Sequence, residues 1–214
     1  MTILDGSAIT GQARLDSHLV ENVGVATALV NAFTCQAQYG KPTATPRSDT
    51  ERRAAAAAAL PAADPKGGGV SRAYAADLAG LAAQLRQIFQ ALAVGSLDAA
   101  ARLVNDGLHD YQARPHLDRQ GQQPWRLHFH ASASDPTHAW GASTITGLAV
   151  VIGAAQARRL GTCHAPSCDR VYFDLTRNGS RRFCSTICQD RVKSRAYRNR
   201  NNKNLRFVPP KRAL

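Results

Sequence analysis

Apolar side chains recur at spacings of three and four residues along much of the first 160 residues, as on the buried face of an amphipathic helix. The pattern occurs in four stretches: Leu19, Val23, Ala26, Val30 and Phe33; Leu78, Leu81, Leu85, Ile88 and Leu92; Leu97, Ala101, Val104, Leu108 and Tyr111; and Ile145, Leu148, Ile152 and Ala155. A further, alanine-rich helix is predicted to begin at a capping box formed by Ser48 and Glu51 and to end at Pro61. These faces predict a helical region with a core of its own.

Residues 125–130 follow a different pattern, because apolar and polar side chains alternate there with the period of a half-buried strand. We predict that this strand pairs with residues 116–117, which makes the fold α+β: mainly helical, with a small β-hairpin. His128 and His130 fall on one face of the strand and are candidate ligands for a metal or an acidic molecule. The alternative is that this face simply meets solvent. Residues 42–46 and 65–69 are predicted to be flexible connections.

Four of the five cysteines lie within 26 residues of one another: Cys163, Cys168, Cys184 and Cys188. Their two pairs, C-x4-C and C-x3-C, are spaced to reach one tetrahedral cation, which predicts a closed four-thiolate Zn²⁺ site. His164 is a substitute candidate, but four cysteines already complete the coordination shell. Disulfides are the competing interpretation, and the clustering argues against a secreted disulfide scaffold. Cys35 stands apart and is predicted to be a buried small apolar residue.

The cellular compartment is predicted from what the chain does not contain. Residues 1–20 include Asp5, Arg14 and Asp16 and no apolar signal-peptide core. The longest apolar run, residues 54–60, is too short to span a bilayer. We therefore expect a cytoplasmic protein with reduced thiols and no membrane partner.

Between the two cysteine pairs, the sequence predicts a hairpin in which residues 170–174 pair with residues 181–183 around an Asn178-Gly179 turn. Ser185 is predicted to cap a helix that runs through Cys188 towards residue 200. A hairpin followed by a helix, with thiolates at both, is a treble-clef-like arrangement. Its own small core would take three aromatic residues: Tyr172, Phe173 and Phe183.

Positive charge is concentrated in the last quarter of the chain. Residues 163–214 hold thirteen Lys and Arg against three Asp, a net charge of +10, whereas residues 1–162 hold fourteen basic against twelve acidic residues, a net of +2. Such density beside a rigid module predicts a polyanionic partner, most plausibly nucleic acid, although a solvated basic tail is the alternative. The candidate contacts are Arg177, Arg181, Arg182, Arg191, Lys193, Arg195, Arg198 and Arg200.

These residues resemble a known family. Cys163-x4-Cys168, Tyr172-Phe173-Asp174, Arg181-Arg182-Phe183-Cys184-Ser185 and Cys188-x-x-Arg191 are similar to the CGNR-type zinc finger of bacterial transcription regulators. Here Cys188-Gln189-Asp190-Arg191 stands in place of Cys-Gly-Asn-Arg. Asp190 would repel a phosphate, and its two possible roles are to accept a hydrogen bond from a cytosine amino group or to pair with a neighbouring Arg, of which the pair is predicted. In that family the finger follows a ligand-binding-like ABATE domain, and a looser similarity covers residues 15–160. The resemblance implies an ABATE-like domain over residues 1–160, a finger over 161–203 and a basic tail over 204–214.

Catalytic motifs are scarce: the chain has two glutamates, Glu21 and Glu51, and no Gly-rich phosphate loop or HExxH sequence. We therefore predict no enzymatic activity. The first hypothesis is a zinc-dependent DNA-binding transcription regulator whose N-terminal domain senses an unidentified small-molecule effector or forms a homodimer. The second is a small-molecule binder or enzyme whose finger attaches to RNA, with aromatic residues stacking on bases. A third is a thiol redox switch that ejects zinc.

Overall fold

The computed structural model describes residues 17–61, 70–119, 121, 125–129 and 136–205. Within them the α+β fold is confirmed: helices dominate, and short antiparallel strand pairs lie between them. The helices are α1 (Ser17–Phe33), α2 (Asp49–Ala59), α3 (Arg72–Ala93), α4 (Leu97–Asp110), α5 (Pro136–Gly153) and α6 (Thr186–Leu205). All five helices predicted in the first 160 residues are present. Residues 65–69 and His130 lie outside the described residues.

Local capping explains where α2 and α3 begin. The Ser48 side chain accepts a hydrogen bond from the backbone N–H of Glu51, and the Glu51 carboxylate accepts from the N–H of Ser48 at 2.9 Å, so the predicted capping box is confirmed. These bonds hold the pKa of Glu51 below its usual value. Ser71 caps α3 in the same way by accepting from the N–H of Tyr74. Each such cap stabilises its helix by about 1 kcal/mol.

The core lies around α3, which packs against α1, α2, α4 and α5. Its Leu78, Leu85 and Phe89 side chains are fully buried, and Leu29 of α1 and Ile145 of α5 meet them from either side. Burying each of these side chains contributes roughly 1.5–3 kcal/mol. The apolar stripes of the sequence are therefore the contact faces of this helical core.

Two strand pairs belong to the helical region. β1 (Ala37–Gln38) and β2 (Lys41–Pro42) form a hairpin that the sequence patterns did not predict, closed by Tyr39 and Gly40 with φ of 54° and 88°. Positive φ at both central residues is the requirement of a type I′ turn. β3 (His116–Asp118) pairs with β4 (Arg126–His128), with His116 opposite His128, which confirms the predicted pairing.

The third strand pair corrects the predicted hairpin of the finger. β6 (Val171–Phe173) pairs with β5 (Leu160–Thr162), which precedes the first cysteine, and not with residues 181–183. The physical reason is Asp174, whose fully buried carboxylate accepts hydrogen bonds from the N–H groups of Thr176 and Arg181, each at 2.8 Å. The N–H of Arg181 is thus bonded to a side chain in the turn and not to β6.

The strands of the finger share their core with the helices. β5 packs on α3 and β6 on α1. Leu160, Val171 and Phe173 are buried in the same apolar cluster as Leu29 and Leu85. The described helices include no segment both long and apolar enough to cross a membrane.

Candidate metal centre and nucleic-acid interface

The four clustered cysteines converge on one point. Their sulfur atoms all lie within 4.8 Å of one another. Cys184 Sγ is 3.7 Å from both Cys168 Sγ and Cys188 Sγ. Four sulfurs placed about 2.3 Å from one Zn²⁺ would be about 3.8 Å apart at the corners of a tetrahedron, whereas a disulfide needs about 2.05 Å. The geometry fits a zinc ion and excludes disulfides among these residues.

Electrostatics favour the same conclusion. Burial and the neighbouring Cys163 sulfur raise the pKa of Cys184, and burial together with a hydrogen bond to Cys168 raises the pKa of Cys188. Cys168 differs: burial opposes its ionisation, yet the N–H groups of Arg170 and Tyr39 outweigh it and lower the pKa. Closely packed thiolates repel one another, and a divalent cation at their centre removes that cost.

Each cysteine pair is held by a different local structure. The segment from Cys163 to Cys168 is a tight turn in which Ser167 adopts φ of 54°. The Cys184 N–H points back to Cys163 Sγ at 3.4 Å. Ser185 caps α6 by accepting from the N–H of Cys188 at 3.4 Å, as predicted, so Cys188 sits in the first turn, where the positive end of the helix dipole favours a thiolate.

The β1–β2 hairpin forms backbone hydrogen bonds with the segment that carries the first cysteine pair. The N–H of Gly40 donates to the carbonyl of Ser167 at 3.0 Å, and the N–H of Asp169 donates to the carbonyl of Ala37 at 3.0 Å. The N–H of Tyr39 reaches the Cys168 sulfur. Hydrogen bonds that orient metal ligands tune a site as much as the ligands themselves. Residues 37–40 therefore support the four-cysteine site from outside it, although no cysteine pattern points to them.

The Asp169 carboxylate fastens this hairpin from the finger side. It accepts from the N–H groups of Gln36 at 3.0 Å and Ala37 at 3.1 Å. Burial would raise the pKa of Asp169, but these two N–H groups and the Arg86 guanidinium hold it below its usual value. Asp169 directly follows Cys168, so its ionised carboxylate ties the first cysteine pair to the segment that follows α1.

Two polar side chains of the helical core extend this connection. Buried Arg86 of α3 donates to the carbonyl of Asp169 at 2.6 Å and to Thr34 Oγ1 at 2.8 Å. Asn31 of α1 donates to the carbonyl of Val171 at 3.0 Å and accepts from its N–H at 2.9 Å, as a neighbouring strand would. Both Arg86 and Asn31 stabilise the finger strands from outside the finger.

The structure divides the predicted basic contacts into two groups. Arg181 stacks over the Tyr172 ring and donates to the carbonyls of Phe183, at 2.7 Å, and Cys184. Arg191 donates to the carbonyl of Pro166 at 3.4 Å and lies against Gly40, where a Cβ atom would overlap its guanidinium. The remaining six are exposed on the turn or on α6: Arg177, Arg182, Lys193, Arg195, Arg198 and Arg200.

Arg181 and Arg182 form a matched pair that tests this division. We expect Arg181→Ala to destabilise the protein by about 1–2 kcal/mol, because two hydrogen bonds to carbonyls beside the zinc ligands are lost. Arg182→Ala should leave stability unchanged. Chemical denaturation of the two zinc-loaded variants measures the difference, and equal stabilities would show that the Arg181 contacts do not support the finger.

The remaining residues singled out in the sequence lie outside the four-cysteine cluster. Cys35 is buried, as expected, and burial raises its pKa to about 11, which makes it a poor nucleophile. His164 is exposed and outside the sulfur cluster. His128 is half-buried against the rings of His18, at 4.8 Å between centroids, and His116, at 5.8 Å. Asp190 is exposed, and no ion pair among the described residues includes it, so the predicted pairing with Arg is wrong.

A closed four-cysteine cluster held between a short hairpin and a helix N-terminus defines a zinc finger. Residues 159–201 match the family model of the CGNR zinc finger, in agreement with the resemblance of the sequence motifs. A search of curated proteins found no match to the chain. The match begins at Arg159 and so includes the whole of β5, of which the predicted finger over residues 161–203 had left out only Leu160.

Proposed function

We propose that this protein is a zinc-dependent DNA-binding transcription regulator. The observation that carries the proposal is the state of α6: its first turn is fixed by the metal cluster, and every side chain from Lys193 to Asn201 is exposed. Four of these exposed side chains are cationic: Lys193, Arg195, Arg198 and Arg200. Cations held on an ordered helix bind phosphates and release counterions, which drives association with DNA.

Repulsion between basic side chains lowers the stability of α6 when no anion is bound. Arg191 and Arg195 are four residues apart, Arg195 and Arg198 three apart, and like charges at these spacings destabilise a helix. No acidic residue follows Asp190 along the chain to offset them. A polyanion would relieve this repulsion, so the helix is better suited to a bound state than to stabilising the isolated protein.

The N-terminal region, residues 1–160, is proposed to sense a small-molecule effector or to form the dimer contact, as the ABATE-like resemblance implies. Support comes from the hydrogen bonds of Asn31, Arg86 and Asp169, which join α1 and α3 to the finger. A shift of either helix would reach the residues beside Cys168. No enzymatic reaction is part of the proposal.

RNA attachment is the second candidate, and the aromatic residues reduce its support. Tyr172 and Phe173 are buried, and Phe183 packs against the sulfur cluster, so these three rings are engaged in the protein itself. Tyr197 is 60% exposed and offers one stacking platform on α6. Phe207 lies outside the described residues. Binding of single strands without sequence preference normally uses several such platforms.

The test is selection of genomic DNA fragments by the purified zinc-loaded protein at physiological salt, with a Cys184→Ser variant as control. We expect enrichment of a discrete motif by the wild-type protein and none by the variant, because loss of a ligand unfolds the support of α6. Equal, sequence-independent recovery by both proteins would contradict the proposal. The same selection with an RNA pool separates the two candidate partners.

A further inference from the structure

The basic residues of α6 from Arg191 to Arg200 form two stripes on opposite sides of the helix. At 3.6 residues per turn, Arg191, Arg195 and Arg198 fall within about 60° of one another. Arg191 is held against Gly40 and the Pro166 carbonyl, so Arg195 and Arg198 are the exposed members of this stripe. Lys193 and Arg200 form a second stripe about 180° away from the first. A helix that lies across the outside of a single phosphate backbone would use basic side chains on one side only. Basic stripes on two opposite sides can both be neutralised only where phosphates lie on both sides of the helix.

Between the stripes lie two edges, and the body of the finger covers one of them over the first turns of α6. Cys188 is fully buried and Val192 packs against the sulfur cluster, so the edge that carries them faces the body of the finger. The opposite edge carries Asp190, Ser194, Tyr197 and Asn201, all exposed. We call these four residues the free edge. It contains no Lys or Arg, and its one charge is negative.

We propose that α6 enters the major groove of double-stranded DNA with its free edge towards the bases and its two basic stripes on the two phosphate backbones. The inference rests on the proposed function and specifies the form of nucleic acid and the residues that read it. The major groove is about 12 Å wide and admits a helix about 10–12 Å across. Phosphates then line both sides of the helix, as the stripes require.

The chemistry of the free edge suits bases better than phosphates. Asp190 repels a phosphate but can accept a hydrogen bond from a cytosine amino group, and Asn201 can bind adenine through two hydrogen bonds. Ser194 can serve either base. Ser194 and Asn201 are separated by seven residues, or about 10 Å along the helix, which spans about three base pairs.

Duplex RNA does not fit the same arrangement. Its major groove is deep and too narrow for side chains to read, and its wide groove exposes sugar hydroxyls. A single strand offers one backbone, which leaves one of the two stripes without phosphates. Double-stranded DNA is therefore the partner that uses both stripes and the free edge together.

The full-length zinc-loaded protein provides the test, with binding to duplex DNA, its single strand and the matching duplex RNA measured by fluorescence anisotropy at several salt concentrations. Two double variants each remove one stripe: Lys193→Ala with Arg200→Ala, and Arg195→Ala with Arg198→Ala. We expect duplex DNA to bind at least tenfold more tightly than the other two. Each double variant should lower the slope of log K against log salt by about 1.8, at about 0.9 per phosphate contact.

A second pair of variants tests the free edge. Asn201→Ala should lower the preference for the favoured base by about tenfold at one position of the selected motif. Asn199→Ala, an exposed asparagine on the edge that faces the finger, should leave the motif unchanged. All the substituted side chains are exposed, so thermal midpoints should stay at or slightly above that of the wild type, the increase coming from removal of the Arg195–Arg198 repulsion.

The outcomes are distinct. Wild-type protein that binds none of the three nucleic acids would refute the proposed function itself. Binding that one double variant weakens and the other leaves intact would overturn the two-sided placement while the function stands. A motif that responds to Asn199 and not to Asn201 would overturn the assignment of the free edge.

Discussion

Removal of zinc is expected to lower the thermal midpoint of the whole protein by at least about 10 °C, and not merely to loosen its C-terminal part. Leu160, Val171 and Phe173 lie in the helical core, and losing their burial costs about 5 kcal/mol at roughly 1.5–3 kcal/mol each. In a protein of this size, each kcal/mol lost from the free energy of unfolding lowers the thermal midpoint by about 2–4 °C. Thermal unfolding followed by far-ultraviolet circular dichroism, with and without a chelator, measures the effect.

Two cysteine variants sharpen this test. Cys184→Ser should bind zinc far more weakly and unfold like the chelated wild type, because only three thiolate ligands remain in a site built for four. Cys35→Ala should retain one zinc per chain, since Cys35 lies outside the sulfur cluster, and should lower the midpoint less than Cys184→Ser, because it loses only weak contacts of its thiol with Asn31 and Arg86. A chelated protein whose main transition stays unchanged, with a separate small transition for the finger, would show that the two parts unfold independently.

Asn31→Ala is expected to destabilise the protein by about 2–4 kcal/mol. The substitution leaves the N–H and the carbonyl of Val171 without their partner, and Val171 is only 1% exposed. Each unsatisfied buried polar group costs about 1–3 kcal/mol. Urea denaturation of the zinc-loaded protein gives the change in the free energy of unfolding.

The control for Asn31 is Asn22→Ala on the same helix. The Asn22 amide contacts His18 at 3.5 Å and not the finger, so a smaller loss is expected. Zinc affinity provides a second readout, because Asn31→Ala should weaken it while Asn22→Ala should not. A pair of variants with equal stability and equal zinc affinity would rule out the proposed support of β6 by Asn31.

The helices and the sulfur cluster were predictable because their signals are local. Apolar spacing, the Ser48 and Glu51 capping box and the cysteine spacing each involve residues a few positions apart. The partner of β6 was not predicted, because an Asn-Gly turn normally joins two strands. Here Gly179 does turn the chain, with φ of 57°, but the Asp174 carboxylate accepts from the N–H of Thr176 before that turn and from the N–H of Arg181 after it.

Apart from the Tyr39-Gly40 turn, the connection between the helices and the finger carries no local sequence pattern. Asn31 and Val171 are 140 residues apart, and Arg86 and Asp169 are 83 apart. Neither Asn31 nor Arg86 belongs to an apolar stripe. The Tyr39-Gly40 pair was the one readable signal, since a glycine after a polar-flanked aromatic residue permits a tight turn. A single sequence does not show which distant segment such a turn will meet.

The same separation sets an order of events during synthesis. Asn31 emerges from the ribosome long before Val171, and at about 5–20 residues per second the 140 residues between them take about 7–28 s to make. Once α3 has been made, α1 and α3 present to solvent the apolar surface that Leu160, Val171 and Phe173 later cover. The growing chain therefore carries uncovered apolar surface until residues 160–173 emerge, and such surface favours aggregation.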